Sequence, residues 1–202
     1  MNTTDVDVAI VGYGPTGATL ANLLARCGVR VAVVEREAAM YHLPRAVHFD
    51  GETMRVFQAV GIADQLLEKV RVNPGMRFVD ADRNLLMDWP RPQDVGPQGW
   101  HASYRLHQPD LEHLLREKFA DNSNAVVLNN TEVTSIEEAA MGATLVARNI
   151  GDGHQTRIKA QFAVGCDGAR SIVRKSIRSG MDDLGFEERW LVIDVLLKRD
   201  RP

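Results

Sequence analysis

The chain has 202 residues, of which 45% are hydrophobic, enough to form the core of one or two globular domains. A formal net charge of -3 and an isoelectric point near 6.1 give no general attraction to nucleic acid or to an anionic membrane. No basic segment precedes the first apolar run, and no stretch approaches the roughly 18 apolar residues that a membrane helix needs. We therefore expect a cytoplasmic protein that binds neither nucleic acid nor membrane.

A strand that ends at three glycines opens the chain. The apolar run Val6 to Val11 leads into the sequence GYGPTG, a G-x-G-x-x-G pattern. In such a pattern the first glycine permits a tight turn, the second lets backbone approach a pyrophosphate, and the third allows a helix to pack close to the strand. We predict a phosphate cradle at the start of a helix, where free N–H groups face the anion. Its residues are Gly12, Gly14, Pro15, Thr16 and Gly17.

The segment after the glycines predicts a helix and a second strand. Apolar residues at i, i+3, i+4 and i+7 indicate a helix that ends at Gly28. Its predicted buried face comprises Leu20, Leu23, Leu24 and Cys27. The apolar run Val29 to Val34 then predicts a buried parallel strand, and Glu35 at its end is placed to accept hydrogen bonds from the ribose of an ADP group. A carboxylate there disfavours a 2′-phosphate, so the predicted ligand is NAD or FAD.

The cysteines and histidines give no sign of a metal site or a disulfide framework. Cys27 and Cys166 lie far apart without C-x-x-C spacing, and we expect both to be small buried residues. The six histidines have no metal-ligand spacing among them, so no metal is expected. His48 is a candidate general base, because histidine titrates near neutral pH.

Two helices are predicted in the middle of the chain. The segment after Glu35 contains no obvious third buried strand, unlike an NAD dehydrogenase, and a helix over residues 51–60 follows an exposed turn at Arg45. A second helix begins near Pro109, with Gln108 as the expected N-cap. The predicted buried face of that helix is Leu111, Leu114, Leu115 and Phe119.

The remaining segments predict strands and turns. Two strands are expected within residues 76–89, followed by a proline- and glycine-rich connector over 90–99. Further predicted strands are 125–128, a hairpin of 143–149 with 155–160 around 151–153, 162–164, and 190–197. Asp167 and Gly168 follow the 162–164 strand in a turn before a helix, which suits a cofactor ligand or a turn-capping aspartate.

These segments together resemble the single-component, FAD-containing aromatic hydroxylases. The resemblance rests on VGYGPTGATLANLLARCGVRVAVVER, LPRAV with its following helix, and VGCDGARSIVR, together with YRLHQPDLEHLL and ERWLVIDV. It covers nearly the whole chain and is strongest to the 3-(3-hydroxyphenyl)propionate hydroxylase branch. It implies a monooxygenase that hydroxylates a small phenol with NAD(P)H and O2 through a flavin C4a-hydroperoxide. A homo-oligomer is compatible with it.

The resemblance also implies a role for individual residues. FAD would be held by Gly12, Gly14, Gly17 and Glu35, with Arg36 near the adenine. Further contacts implied are Arg45 and Gln108 along the pyrophosphate and ribityl chain, Asp167 and Gly168 in the same region, and the Val133 backbone at the adenine. The family's third motif, a Gly-Asp followed shortly by Ala and His, does not occur in these residues. We therefore expect little or no turnover from the 202 residues alone.

The predicted fold class is α/β. We expect a three-layer FAD/NAD(P)-binding, Rossmann-like domain over residues 1–72 and 103–180, with an inserted, incomplete β-rich substrate domain over 73–102 and 181–202. Two alternatives stay open at this point: an NAD-binding dehydrogenase domain, and a non-catalytic FAD-binding fragment that assembles with a partner chain.

Overall fold

A computed structural model describes residues 2–42, 45–189, 191, 193 and 198. The strands of this part of the chain are β1 (Asn2–Val11), β2 (Val31–Val34), β3 (His48–Asp50), β4 (Arg71–Val72), β5 (Gly75–Val79), β6 (Leu85–Pro90), β7 (Ser103–Arg105), β8 (Ala125–Leu128), β9 (Thr131–Ala139), β10 (Gly142–Asn149) and β11 (Gln155–Gly165). The helices are α1 (Pro15–Arg26), α2 (Gly51–Val60), α3 (Ala63–Leu67), α4 (Gln108–Ala120) and α5 (Ile172–Ser176). Six of the strands form the central sheet, in the order β8-β2-β1-β11-β10-β9.

The central sheet is parallel over four strands, from β8 to β11. Val11, the last residue of β1, pairs with both Val34 of β2 and Gly165 of β11, and Val34 pairs in turn with Leu128 of β8. The carboxyl ends of all four strands therefore meet at one edge of the sheet. In an open α/β sheet this edge is where ligands bind.

Helix α1 packs on the sheet through small side chains and not through the predicted leucines. Its buried residues are Gly17, Ala18, Ala21, Asn22 and Ala25. The three leucines lie half-buried at the margin of the same core, and Cys27 is exposed, so the prediction of a buried Cys27 was wrong. The leucines and the small residues both recur with helical periodicity. The small residues face the sheet because they let the helix approach the strands closely.

The sheet lies between two layers. Alternate residues of β1 point to opposite faces, so Ile10 packs with the helices while Ala9 packs on the other side. On that second face, Leu145 of β10 and Ile158 of β11 share a buried cluster with Ala9 and Ala32, and Val173 of α5 belongs to the same cluster. The predicted three-layer α/β arrangement is confirmed.

Two smaller sheets lie outside the central one. Strands β3, β7 and β4 form one of them, and β5 with β6 forms an antiparallel hairpin, as predicted for residues 76–89. Every residue of β6 is exposed, including Leu86 and Trp89. The hairpin is anchored at its base by Asn73, whose Oδ1 accepts hydrogen bonds from Arg105 and from the backbone of Gly75.

Several element boundaries differ from the predictions. The separate strands expected at 155–160 and 162–164 are one strand, because the whole of β11 is continuous along β1. Strand β9 was not predicted at all. The helices at 51–60 and near Pro109, the strand 125–128 and the hairpin turn at 151–153 are confirmed.

The strand predicted over residues 190–197 lies outside the described residues, apart from Leu191 and Ile193, which belong to no regular element. Among the residues that the structure describes, no helix is long and apolar enough to span a membrane.

Candidate functional site

A cleft of about 800 Å³ lies at the edge where the parallel strands end. The turns after β1, β2 and β11 form its floor, and the amino-terminal parts of α1, α4 and β9 form its walls. Of the residues predicted to bind the cofactor, the cleft brings together Gly12, Gly14, Pro15, Thr16, Glu35, Arg36, Arg45, Gln108, Val133, Asp167 and Gly168. Gly17 is buried directly behind the glycine turn.

The three glycines of the turn have different reasons to be glycine. Gly12 has a φ of +101°, and a Cβ there would lie 2.3 Å from the carbonyl oxygen of Cys166. A Cβ on Gly17 would lie 2.1 Å from the carbonyl oxygen of Gly12. Gly14 differs, because its φ of -72° suits any residue and a Cβ would meet no atom of the described chain within 4 Å. Neither backbone conformation nor packing requires glycine at position 14, so the space beside it is available to a ligand.

The first turn of α1 faces this space with its N–H groups uncapped. Gly14 is the N-cap residue, and no side chain caps the helix in the described structure. Pro15 occupies the first helical position, where a missing N–H costs nothing. Free backbone N–H groups and the positive end of the helix dipole make such a terminus an anion-binding site.

Glu35 lies at the end of β2 and joins the glycine turn to the strand edge. Its Oε2 accepts a hydrogen bond from the backbone nitrogen of Tyr13 at 2.7 Å, and its Oε1 accepts one from the backbone nitrogen of Glu37 at 2.9 Å. A carboxylate has about four acceptor positions, so each oxygen keeps capacity for a further donor. The cleft beside Glu35 is where a ribose hydroxyl would supply one.

Asp167 has one oxygen in use and one free. Its Oδ2 accepts a hydrogen bond from the backbone nitrogen of Ile172, the first residue of the short helix α5, at 2.6 Å, while Ser171 is the N-cap of that helix. Its Oδ1 is buried without a hydrogen-bond partner in the described structure. Buried polar atoms are nearly always paired, so this oxygen is oriented to accept from a ligand in the cleft. Next to it, Gly168 has a φ of +73°, which favours glycine.

Burial raises the pKa of two groups next to the cleft. It raises the pKa of Tyr13 to about 12, although the Arg116 guanidinium, 4.5 Å from the ring centroid, opposes the shift. Burial also raises the pKa of the Cys166 thiol, and the neighbouring Asp167 charge adds to the effect. Cys166 therefore stays protonated near neutral pH and is no nucleophile.

The helix α4 differs from its prediction at its start. The N-cap is His107, and Gln108 is the first helical residue, so the expected N-cap role of Gln108 was wrong. Its buried side chain instead bonds to the backbone of residues 45 and 46. Glu112 and Arg116 also line the cleft and were missed. Their positions, four and eight residues after Gln108, were the available signal, since this spacing places the three polar residues on one helical face.

Three predicted residues lie at the cleft margin. Arg36 is exposed, and its Nε donates to Glu37 at 2.9 Å. The Arg45 guanidinium lies 4.8 Å from the ring centroid of Tyr41. Val133 lies on β9 beside a β-bulge, where the pairing with β10 shifts by one residue. All three residues contribute to the lining of the cleft.

His48 does not line the cleft. It lies exposed on β3, opposite Arg105 of β7, so the structure does not bring it to the predicted cofactor site. Its role as a base stays a prediction. Within the described residues, no group of three or more His, Cys, Asp or Glu side chains is arranged to hold a metal ion.

Comparison with known sequences places the chain in a family. Residues 5–202 match the model of the FAD binding domain. The chain belongs to the FAD binding domain family. It is 40% identical over 197 residues to a probable NADH-specific resorcinol 4-hydroxylase of Rhodococcus jostii, covering 98% of this chain and 37% of the relative. It is 37% identical over 192 residues to a 3-(3-hydroxy-phenyl)propionate/3-hydroxycinnamic acid hydroxylase of Mycobacterium sp. (strain JLS), covering 95% and 33%.

Solved structures agree with this family assignment. The flavin-dependent monooxygenase PieE, crystallised with FAD and substrate, superposes with a TM-score of 0.79 at 26% identity, covering 90% of this chain and 33% of PieE. The p-nitrophenol 4-monooxygenase PnpA of Pseudomonas putida DLL-E4 superposes with a TM-score of 0.76 at 25% identity, covering 88% and 44%. The predicted resemblance is confirmed, and the chain spans about a third of the length of the hydroxylases that it matches.

The residues of the cleft fit FAD. The open space at Gly14 and the uncapped start of α1 suit a diphosphate, and the Glu35 carboxylate suits a ribose. The unpaired Oδ1 of Asp167 suits a hydroxyl donor. Within the described chain, no contact uses the space at Gly14 or the Oδ1 of Asp167, and the Glu35 carboxylate keeps acceptor capacity beyond its two backbone partners.

Proposed function

We propose that this chain is the FAD-binding part of an FAD-dependent monooxygenase that hydroxylates a small phenolic substrate with NAD(P)H and O2. Its membership of the FAD binding domain family indicates that the cofactor is FAD. The aromatic hydroxylases among its relatives support the reaction class. The observation that carries the proposal is the open space at Gly14, because it lies in the cleft at the uncapped start of α1, where a diphosphate would bind.

The proposed binding mode follows the geometry of the cleft. The diphosphate lies on the turn of Gly12, Gly14 and Gly17 with Pro15 and Thr16, and the ribose lies at Glu35. The adenine lies between Arg36 and the backbone of Val133. The pyrophosphate and ribityl chain extend past Arg45, Gln108, Asp167 and Gly168.

The cofactor and the chain have different roles in the proposed reaction. Bound FAD would supply hydride acceptance and oxygen activation, which no side chain can provide. The chain binds and orients it: backbone N–H groups of α1 neutralise the diphosphate charge, Glu35 fixes the ribose, and Asp167 accepts a hydroxyl donor.

The domain organisation belongs to the same proposal. We assign residues 1–72 and 103–180 to the FAD domain, and residues 73–102 and 181–202 to the start of the substrate domain. The exposed apolar side chains of the β5–β6 hairpin support this division, because they give one face that nothing in the described chain covers. We further propose a cytoplasmic protein that associates with neither nucleic acid nor membrane.

A cofactor titration tests the proposal. The chain is purified, and its visible spectrum is recorded before and after addition of FAD and, separately, of NADH. We expect the two visible bands of oxidised flavin to remain with the protein after gel filtration, and NADH not to displace them. A colourless protein that takes up NADH and never FAD would instead establish the dehydrogenase alternative.

The substrate class needs a second measurement. In a polypeptide of the relatives' full length that includes this chain, resorcinol or 3-(3-hydroxyphenyl)propionate should stimulate NAD(P)H oxidation and yield hydroxylated product. If no phenol stimulates the oxidation, the hydroxylase assignment is wrong even if FAD binds.

A further inference from the structure

A stripe of polar residues runs along the face of helix α4 that lines the cleft. Gln108, Glu112 and Arg116, the polar stripe, are spaced by four residues and therefore lie on one face. The first two are almost fully buried, at 4% and 3% exposure. Burying a carboxylate is costly unless each oxygen has a partner, so this stripe needs an explanation.

The two ends of the Gln108 amide have different partners. Its Oε1 accepts hydrogen bonds from the backbone nitrogens of Arg45 and Ala46, at 2.8 and 2.7 Å. Its Nε2 donates to Oε1 of Glu112 at 2.7 Å. If the amide were rotated by half a turn, its NH2 group would face two N–H donors and its oxygen would face a carboxylate. Both contacts would then be repulsive.

Glu112 is the group that selects between these two orientations. A carboxylate can only accept hydrogen bonds, so it admits the NH2 end of the amide and excludes the oxygen end. We propose that Glu112 is a positioning residue, which fixes the orientation of Gln108 and thereby holds the Arg45–Ala46 backbone at the edge of the cleft.

Arg116 extends the same network to the glycine turn. Its Nη2 lies 3.4 Å from Oε2 of Glu112 and donates to the backbone oxygen of Tyr13, a residue of that turn, at 2.9 Å. The polar stripe therefore connects the 45–46 segment to the proposed phosphate cradle. The consequence for FAD affinity rests on the proposed function, whereas the backbone contact does not.

Hydrogen exchange of the flavin-free chain tests the positioning role directly. Replacing Glu112 by leucine removes the acceptor and keeps a side chain of similar length. We expect the amides of Arg45 and Ala46 to exchange about tenfold faster or more than in the parent chain. The control is Glu117→Leu on the same helix, whose carboxylate pairs with His113 at 3.1 Å on the exposed surface. That variant should leave both amides unchanged.

A double substitution separates orientation from general packing. In Gln108→Glu/Glu112→Gln the acceptor and the donor change places: a carboxylate at 108 accepts from the two backbone N–H groups and from an amide at 112. We expect exchange at Arg45 and Ala46 to return to within about threefold of the parent. Gln108→Glu alone places two carboxylates together and should speed exchange.

Three results would overturn the proposal. The first is that the amides of Arg45 and Ala46 exchange in Glu112→Leu as slowly as in the parent. The second is that the Glu117→Leu control speeds their exchange as much as Glu112→Leu does. The third is that they exchange in the double variant as fast as in Glu112→Leu. Glu112→Leu could also speed exchange along the whole of α4. In that case, slow exchange at Arg45 and Ala46 in the double variant supports the proposal, and fast exchange there refutes it.

A titration with FAD measures the cofactor affinity of the same variants, independently of hydrogen exchange. We expect Glu112→Leu to weaken FAD binding about tenfold, since the 45–46 segment loses its position. Failure of the parent chain to bind FAD, with the expected exchange pattern, would refute the proposed function and leave the role of Glu112 established.

Discussion

The Oε2 atom of Glu35 lies 2.7 Å from the backbone nitrogen of Tyr13, so the carboxylate at the end of β2 is bonded to the glycine turn after β1. The strand that would hold the ribose thereby also supports the turn that would hold the diphosphate. This contact joins two adjacent strand ends, which the register of β1 with β2 already aligns at Val11 and Val34.

The first prediction concerns this carboxylate. Glu35→Gln keeps the size of the side chain but leaves one oxygen, while Tyr13 and Glu37 both offer N–H donors. The charge-assisted bond to a ribose hydroxyl, worth about 1.5 to 3 kcal/mol, is lost, and we expect FAD binding to weaken about tenfold or more. Fluorescence titration measures this. Glu138→Gln, an exposed carboxylate of β9 outside the cleft lining, is the control and should bind FAD as the parent does; equal affinities in all three proteins would remove Glu35 from the ribose site.

The second prediction separates two glycines of the turn. Gly14→Val fills the open space beside the helix start, so we expect a folded protein without flavin, with stability lowered by no more than about 1 kcal/mol. Gly12→Val collides with the backbone of Cys166 and requires a positive φ, so we expect it to destabilise the fold itself. Thermal unfolding and flavin content are measured together. Normal flavin content in Gly14→Val would show that the diphosphate binds elsewhere.

The third prediction uses the two oxygens of Asp167. Asp167→Asn retains one acceptor for the backbone nitrogen of Ile172, so stability should change little. The amide nitrogen then replaces the free Oδ1 and cannot accept from a hydroxyl, so FAD affinity should fall. Asp167→Ala should lose both the hydrogen bond to Ile172, about 1 kcal/mol of stability, and the affinity. If Asp167→Asn binds FAD as the parent does, Asp167 serves only to hold the start of α5.

The fourth prediction is a pH dependence of stability. The folded-state pKa of Tyr13, about 12, is raised above its ordinary value of 10.0, so the neutral phenol is favoured in the folded chain. Its contribution is complete below pH 10.0 and is lost as the pH rises towards about 12. The free energy of unfolding of the parent should therefore fall over this range more steeply than that of Tyr13→Phe. Parallel curves for the two proteins would show that burial does not perturb Tyr13.

The fifth prediction concerns His48. Because His48 is exposed on β3 and does not line the cleft, His48→Ala should leave FAD affinity within about twofold of the parent. If it acts as a base, the full-length hydroxylase carrying this change should form less product and more hydrogen peroxide, while flavin reduction stays nearly unchanged. Equal coupling of NAD(P)H to product in variant and parent would exclude that role.

Much of the cleft follows from sequence because its parts are local. The turn from Gly12 to Gly17 and the acid at Glu35 belong to one βαβ unit, in which a short segment specifies strand, turn, helix and strand in order. Asp167 and Gly168 likewise follow directly from a strand end. Parallel strands place these ends at a common edge, so the glycine turn and the Asp-Gly turn both lie at the cleft, as the sequence predicted.

Tertiary structure decided what the local pattern left open. Helical periodicity offered two apolar stripes on α1, and only the need for close packing selected Ala18, Ala21 and Ala25 over the leucines. Gln108 is buried because its Oε1 accepts hydrogen bonds from two backbone N–H groups of residues 45 and 46. These residues are far from α4 in sequence, so a helix pattern cannot reveal the contact. Glu112 is buried among partners on its own helix, Gln108 and Arg116, and these two are bonded in turn to distant backbone at residues 45, 46 and 13. Buried polar groups need hydrogen-bond partners, and the distant backbone that completes this network meets α4 only once the chain has folded.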